Sequence, residues 1–258
     1  MLSLSKEEKL NIIEGMMFSH STLCPKLFNE QKQLRQEVYD KIHCVVDIVS
    51  EQSISCFPNI TIKDITLNGS LCSYMYNDNS DLDLWIIIES IFPDDKCTSE
   101  YILGGITSYI NMMSFKPSFY GHSLDFGILH SDAKYVHNHN SYSWLHNCWK
   151  NEPVRQEFIF TPQELYCEYC KYNKKLHDYA ASLEKINNSF LTEKSIKQLQ
   201  NYIFSLNEKA FQAKLYSPEH EYSLEYNLFR LLKKFGTWSF FRNYIDDSYQ
   251  NFLRRNNG

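Results

Sequence analysis

Few places in a fold accept the run Leu82-Asp83-Leu84-Trp85-Ile86-Ile87-Ile88. Side chains of a strand alternate between its two faces, and this one is apolar on both beyond its mouth, so it belongs in the middle of a sheet. Two charges nevertheless stand at its entrance. The same alternation turns Asp81 and Asp83 to one side and Leu82 and Leu84 to the other. Carboxylates a few ångströms apart repel each other unless a cation lies between them. A hard divalent ion with oxygen ligands fits that need, and Mg²⁺ is the first choice.

The segment ahead of this strand completes the pattern. Residues 61–67, Thr-Ile-Lys-Asp-Ile-Thr-Leu, alternate polar and apolar groups and predict a strand. It runs into Asn68-Gly69-Ser70. Glycine permits a tight turn and the close approach of a bulky anion. Ser70 adds a hydroxyl, and a short helix after it would aim backbone amides at the same anion. A phosphate cradle facing a pair of metal-binding carboxylates suits phosphoryl or nucleotidyl transfer.

Gly69-Ser70, ten further residues, and then Asp81-Leu82-Asp83 inside an apolar strand resembles the signature of the DNA polymerase beta-like nucleotidyltransferase superfamily. The resemblance covers roughly residues 60–130. Members place a third carboxylate on a neighbouring strand between apolar residues, and His122-Ser123-Leu124-Asp125-Phe126-Gly127-Ile128 supplies Asp125 in that setting. The resemblance implies an α+β fold, with a mixed sheet flanked by helices. It implies that Asp81, Asp83 and Asp125 hold two Mg²⁺ ions (or Mn²⁺) and that Gly69 and Ser70 hold the outer phosphates of an NTP, ATP first. Asp125 would also help to activate the acceptor hydroxyl. One feature departs from the pattern. Many bacterial members carry an Arg-Gly pair shortly after the Gly-Ser, where this chain has Cys72-Ser73-Tyr74. Lys134 and Lys150 are the candidates to replace that charge.

The rest of the chain divides in two. Ser5 and Glu8 form a capping-box pattern ahead of a first helix. Residues 26–53 carry helical periodicity, as do 97–113, and residues 123–129 predict a third strand. From Ser141 onward the pattern is helical, with a break at Glu152-Pro153 and turn signals near Asn187-Asn188, Ser217-Pro218 and Gly236. Residues 1–150 are therefore expected to form the catalytic domain with its N-terminal helices, and residues 151–258 a helical, acceptor-binding domain. Charge divides at the same place: 11 Lys and Arg against 18 Asp and Glu in residues 1–150, and 15 against 13 afterwards. The net charge of −5 excludes a protein that binds nucleic acid by bulk electrostatics. The eight cysteines are scattered, no apolar run reaches membrane-spanning length, and no signal peptide is apparent. A soluble, cytoplasmic protein with reduced thiols and no membrane partner is expected.

Other features carry competing readings. Asp81 and Asp83 also suit a solvated strand end beside the turn-like Asn77-Asp78-Asn79-Ser80, and Asp125 an edge-strand surface charge. Cys167 and Cys170, with His177, suggest zinc, but a helical stretch with a single Cys pair lacks the second pair a zinc site needs. His137 and His139 lie in a polar loop. Tyr142, Leu145 and Trp149 stand at helical spacing; this is a core pattern, though Tyr142 is also a candidate to stack on a nucleotide. Three functional classes follow: a nucleotidyltransferase acting on a small molecule or a protein, an RNA tail-adding enzyme, and an inactive binding module of the same fold. A small-molecule or protein acceptor is favoured over RNA, because tail-adding enzymes use a longer helical region and a basic track. No arginine of the back half is followed by histidine at the spacing of helical ribonuclease toxins.

Overall fold

The computed structural model describes residues 4–49, 61–89, 94–112, 118–132, 140–185 and 189–256. The chain forms two compact units, one of residues Ser19–Arg155 and one of Met1–Phe18 with Gln156–Gly258. The architecture is mixed α and β.

In the first unit, α2 (Gln36–Val49) leads into a six-stranded sheet made of β1 (Ile62–Asn68), β2 (Leu82–Ile88), β3 (Ser118–Phe119), β4 (His122–His130), β5 (Ser141–Ser143) and β6 (Cys148–Asn151). Helix α3 (Lys96–Met112) precedes β3. The strand order is β3-β4-β2-β1-β5-β6, so the doubly apolar β2 is interior, as its composition requires. β2 runs antiparallel to β1 and parallel to β4, and the other pairings are antiparallel. Ile65, Leu67, Leu82, Leu84, Ile86, Leu124, Phe126 and Ile128 line one face of the sheet and pack in a single buried cluster with Val38, Ile42 and Val45 of α2. The opposite face carries the polar rows.

Two expected elements differ. The helix expected over residues 26–53 begins only at Gln36. Ahead of it the Asn29 side chain accepts hydrogen bonds from the amides of Gln31 and Gln33, and Lys32 takes a left-handed φ of 58°. An asparagine that offers the backbone this local bond competes with helix formation. Residues 141–151 form a β-hairpin in place of the start of a helix. Tyr142 pairs with Trp149 across it, and Asn147 takes the left-handed turn position with φ 50°. Two residues seven apart share a face in a helix, and a four-residue hairpin turn also sets them opposite each other. The spacing alone does not tell the two apart.

The second unit gathers α1 (Lys6–Met16), α4 (Pro162–Glu184), α5 (Ser189–Tyr216), α6 (Leu224–Lys234) and α7 (Thr237–Asn256). Ser5 and Glu8 form the expected capping box. Thr161 and Glu164 form a second one, with Pro162 in the first turn, where a missing amide proton does no harm. Ile13 is fully buried in a cluster with Leu165, Tyr169, Leu206, Leu228 and Leu231. The first helix therefore belongs with the helical unit and not with the sheet, against the division expected at residue 150. No helix among the described residues is long and apolar enough to cross a membrane.

The hairpin yields a prediction. Tyr142 is 0% exposed; its hydroxyl accepts from the Leu34 amide and donates to Asn147 Oδ1 at 2.9 Å. Tyr142→Phe keeps the ring but strands these groups, at a cost of about 1–3 kcal/mol. Denaturant unfolding should show that loss, and an unchanged midpoint would refute it.

Candidate metal centre

Asp81 stands at the entrance of β2, Asp83 is its second residue, and Asp125 lies on β4 directly in register with Asp83. The parallel pairing is fixed on the apolar face, where Leu82 sits beside Leu124, Leu84 beside Phe126 and Ile86 beside Ile128. Burial of those rows places the two carboxylates together on the polar face. One oxygen from each of Asp81, Asp83 and Asp125 lies within 4.8 Å of the others, and all three residues are half-buried. Three convergent carboxylate oxygens are a donor set for a hard divalent cation. Among the described residues no other group of three or more His, Cys, Asp and Glu converges in this way. Cys167 and Cys170 are exposed on α4 and His177 packs on the Phe241 ring, so the described residues assemble no zinc site around them.

The turn before the carboxylates is shaped to meet them. Gly69 adopts φ 85° and ψ −171°, a region open essentially to glycine alone. A Cβ at this position would fall 2.5 Å from Asp83 Oδ2, so the absence of a side chain makes room for the carboxylate. A single 3₁₀ turn, Ser70–Cys72, follows. Ser70 Oγ donates to Ser80 Oγ at 2.7 Å, so the Ser70 proton faces into the loop in this arrangement.

Two residues that the sequence reading passed over hold this loop. Ser80 Oγ also accepts from the Asn77 amide at 3.0 Å, and the buried His122 ring donates through Nδ1 to the Ser80 carbonyl at 2.8 Å. Ser80 thus ties the start of the loop to its end and, through His122, to β4. The ten-residue spacing between Ser70 and Ser80 is the signal that could have revealed the link; the stretch around Ser80 also has an ordinary turn composition.

The remaining candidates separate. Tyr142 lies on the apolar face in the core, between Phe28 and Trp149, and cannot stack on a ligand at the carboxylates. Lys150 Nζ is 2.7 Å from Asp64 Oδ2, and Asp64 is 2% exposed; this lysine is already committed as the partner of a buried carboxylate. Lys134, His137 and His139 lie outside the described residues. Trp85 is the next residue along the carboxylate face, and its indole lies against Gly127, where a Cβ would meet it at 2.9 Å. Compared with protein families, with curated proteins and with solved structures, the chain finds no match.

Gly69→Ala is expected to cost about 1–3 kcal/mol for the backbone conformation alone, and to push the Asp83 carboxylate out of line. Thermal unfolding with and without Mg²⁺ checks both effects. The variant should melt lower and lose any Mg²⁺-dependent rise. A variant that melts and responds like the wild type would show that the close approach of Gly69 to Asp83 is unimportant.

Proposed function

We propose that this chain is a metal-dependent nucleotidyltransferase. It moves a nucleoside monophosphate, AMP first, from an NTP to an acceptor hydroxyl. The observation that carries the reading is the convergence of Asp81, Asp83 and Asp125 within 4.8 Å, beside a turn whose glycine is fitted to Asp83. The Gly-Ser and Asp-x-Asp spacing quoted above supports it independently of the geometry.

In this reading Asp81 and Asp83 hold the cations and, with them, the triphosphate. Asp125 draws the acceptor hydroxyl into line and takes part in removing its proton. The acceptor oxygen attacks the α-phosphorus, the bond from that phosphorus to the bridging oxygen breaks, and pyrophosphate leaves. A pair of Mg²⁺ ions, when bound, neutralises charge on the attacking and leaving oxygens. Gly69 lets the triphosphate approach the backbone. The acceptor is a small molecule or a protein. The helical unit carries 16 Lys and Arg against 15 Asp and Glu, a balance that gives little electrostatic hold on an RNA backbone.

The test is incubation of the chain with each labelled NTP and Mg²⁺ beside RNA, protein and small-molecule pools. Label should enter the protein or small-molecule pool and be insensitive to moderate salt. A steep loss of binding as salt rises would instead favour an RNA acceptor. Asp81→Ala and Asp83→Ala should each abolish transfer while melting no lower than wild type without Mg²⁺, because removing one of several crowded carboxylates relieves repulsion. Transfer that survives in Asp83→Ala would end the proposal. A chain that binds neither NTP nor Mg²⁺ would favour the inactive binding module.

A further inference from the structure

Asn68 is the last residue of β1 and stands in register with Asp83, which in turn stands in register with Asp125. It is 1% exposed. Its Nδ2 donates to the Thr66 carbonyl at 3.2 Å and to Thr66 Oγ1 at 2.9 Å. A carbonyl only accepts, so the amide nitrogen must be the atom facing Thr66. Oδ1 is therefore the amide atom not committed to Thr66, and Asn68 itself stands in the row that carries Asp83 and Asp125. This oxygen is buried and has no hydrogen-bond partner among the described residues.

A buried acceptor without a donor is costly, and native proteins rarely tolerate one unless something outside the chain satisfies it. Its neighbours along the row make matters worse, since ionised carboxylates are acceptors too and have no proton to give. With Nδ2 committed to Thr66, the side chains of Asn68, Asp83 and Asp125 leave only acceptor oxygens in this row. Another acceptor on the same strand shows how this face treats such a group. Asp64, equally buried, receives a hydrogen bond from Ser143 Oγ at 2.7 Å and has the Lys150 ammonium 2.7 Å from Oδ2. Asp64 has its cation built into the chain, and Asn68 does not.

We propose that Asn68 Oδ1 is a fourth oxygen ligand of the divalent cation held by Asp81, Asp83 and Asp125. Amide carbonyl oxygens suit the hard cations that carboxylates bind, and such ions take six or more oxygens. The inference rests on the proposed metal centre but not on nucleotidyl transfer. Tying Nδ2 to Thr66 presents the oxygen to the ion in one orientation.

The test is Mn²⁺ binding to the full chain, followed by electron paramagnetic resonance, beside thermal unfolding with and without Mg²⁺. Asn68→Ala should weaken Mn²⁺ binding at least about ten- to a hundred-fold, the loss that follows removal of an outer-shell partner alone. Asn68→Asp keeps an oxygen and adds a charge. It should bind Mn²⁺ at least as tightly as wild type, yet melt lower without metal and recover when Mg²⁺ is added. Folded Asn68→Ala with wild-type Mn²⁺ affinity overturns the assignment. If Asn68→Ala fails to fold, Asn68→Asp decides, and Mn²⁺ binding weaker than wild type overturns it. Wild-type protein that binds no Mn²⁺ would instead overturn the metal centre itself, a separate result from the loss of Asn68 alone.

Discussion

The parallel register of β2 on β4 governs the site. It is set on the apolar face, where Leu82, Leu84 and Ile86 lie beside Leu124, Phe126 and Ile128, all buried. A slip of one residue would turn each of these side chains to the other face, so the register is strongly specified. The same register forces Asp83 against Asp125. Two like charges about 4 Å apart repel by on the order of 4 kcal/mol at the effective dielectric of a partly buried site. Each large apolar side chain taken from water returns about 1.5–3 kcal/mol. Two or three of the six residues therefore offset one carboxylate pair, and the strands stay paired. The carboxylates remain close because the core holds them there, and a cation bound among them would lower the energy of an arrangement already imposed.

The second constraint is the loop that returns the chain from β1 to β2. β1 and β2 are antiparallel neighbours, with Asn68 opposite Asp83, so the ends of the intervening loop must meet. Ser70 and Ser80 close it by a direct hydroxyl contact, and His122 pins Ser80 to β4. The residue after Ser80 is Asp81. Its backbone is thus fixed from the core side by His122, while its side chain joins the other carboxylates on the polar face. Gly69 lies at the other end of the same closure, pressed on Asp83. The spacing of the motif follows from this geometry: a shorter or longer loop would separate the turn from the carboxylate it touches.

Much of this was legible in the sequence wherever one physical signal acted alone. The doubly apolar run fixed β2 as interior, alternation placed Asp81 and Asp83 on one side, and Ser5 and Thr161 capped helices by local bonds. The failures came where two signals shared one pattern. Tyr142 and Trp149 are seven apart, which suits a helix face and a hairpin pair alike; Asn147 in its left-handed turn decides for the hairpin. The N-terminal helix carried no mark of its destination, because Ile13 finds its neighbours on α4, α5 and α6, about 150 or more residues away. Ser80, His122 and Asn68 were hidden for a related reason. Each matters through a partner that the sheet, and not the local sequence, brings to it.

The polar face of the sheet follows one rule throughout. Asp64, Thr66, Asn68 and Ser143 are all at most 2% exposed, and a buried polar atom must have its complement close by. At the β5 side the complement is internal, with Lys150 and Ser143 serving Asp64. Removing Lys150 would leave a buried charge without its counter-ion, which costs far more than an exposed ion pair contributes. That commitment keeps Lys150 with Asp64 and unavailable as a free positive charge for an anion. Residues Ser19–Arg155 carry 10 Lys and Arg against 16 Asp and Glu, so this unit repels anions unless cations are bound first. An anionic substrate at Asp81, Asp83 and Asp125 would therefore depend on the metal for its attraction as well as for its chemistry. The positive charge of Lys150 serves the architecture, so under the proposed function the charge to attract an anion would have to come from solution.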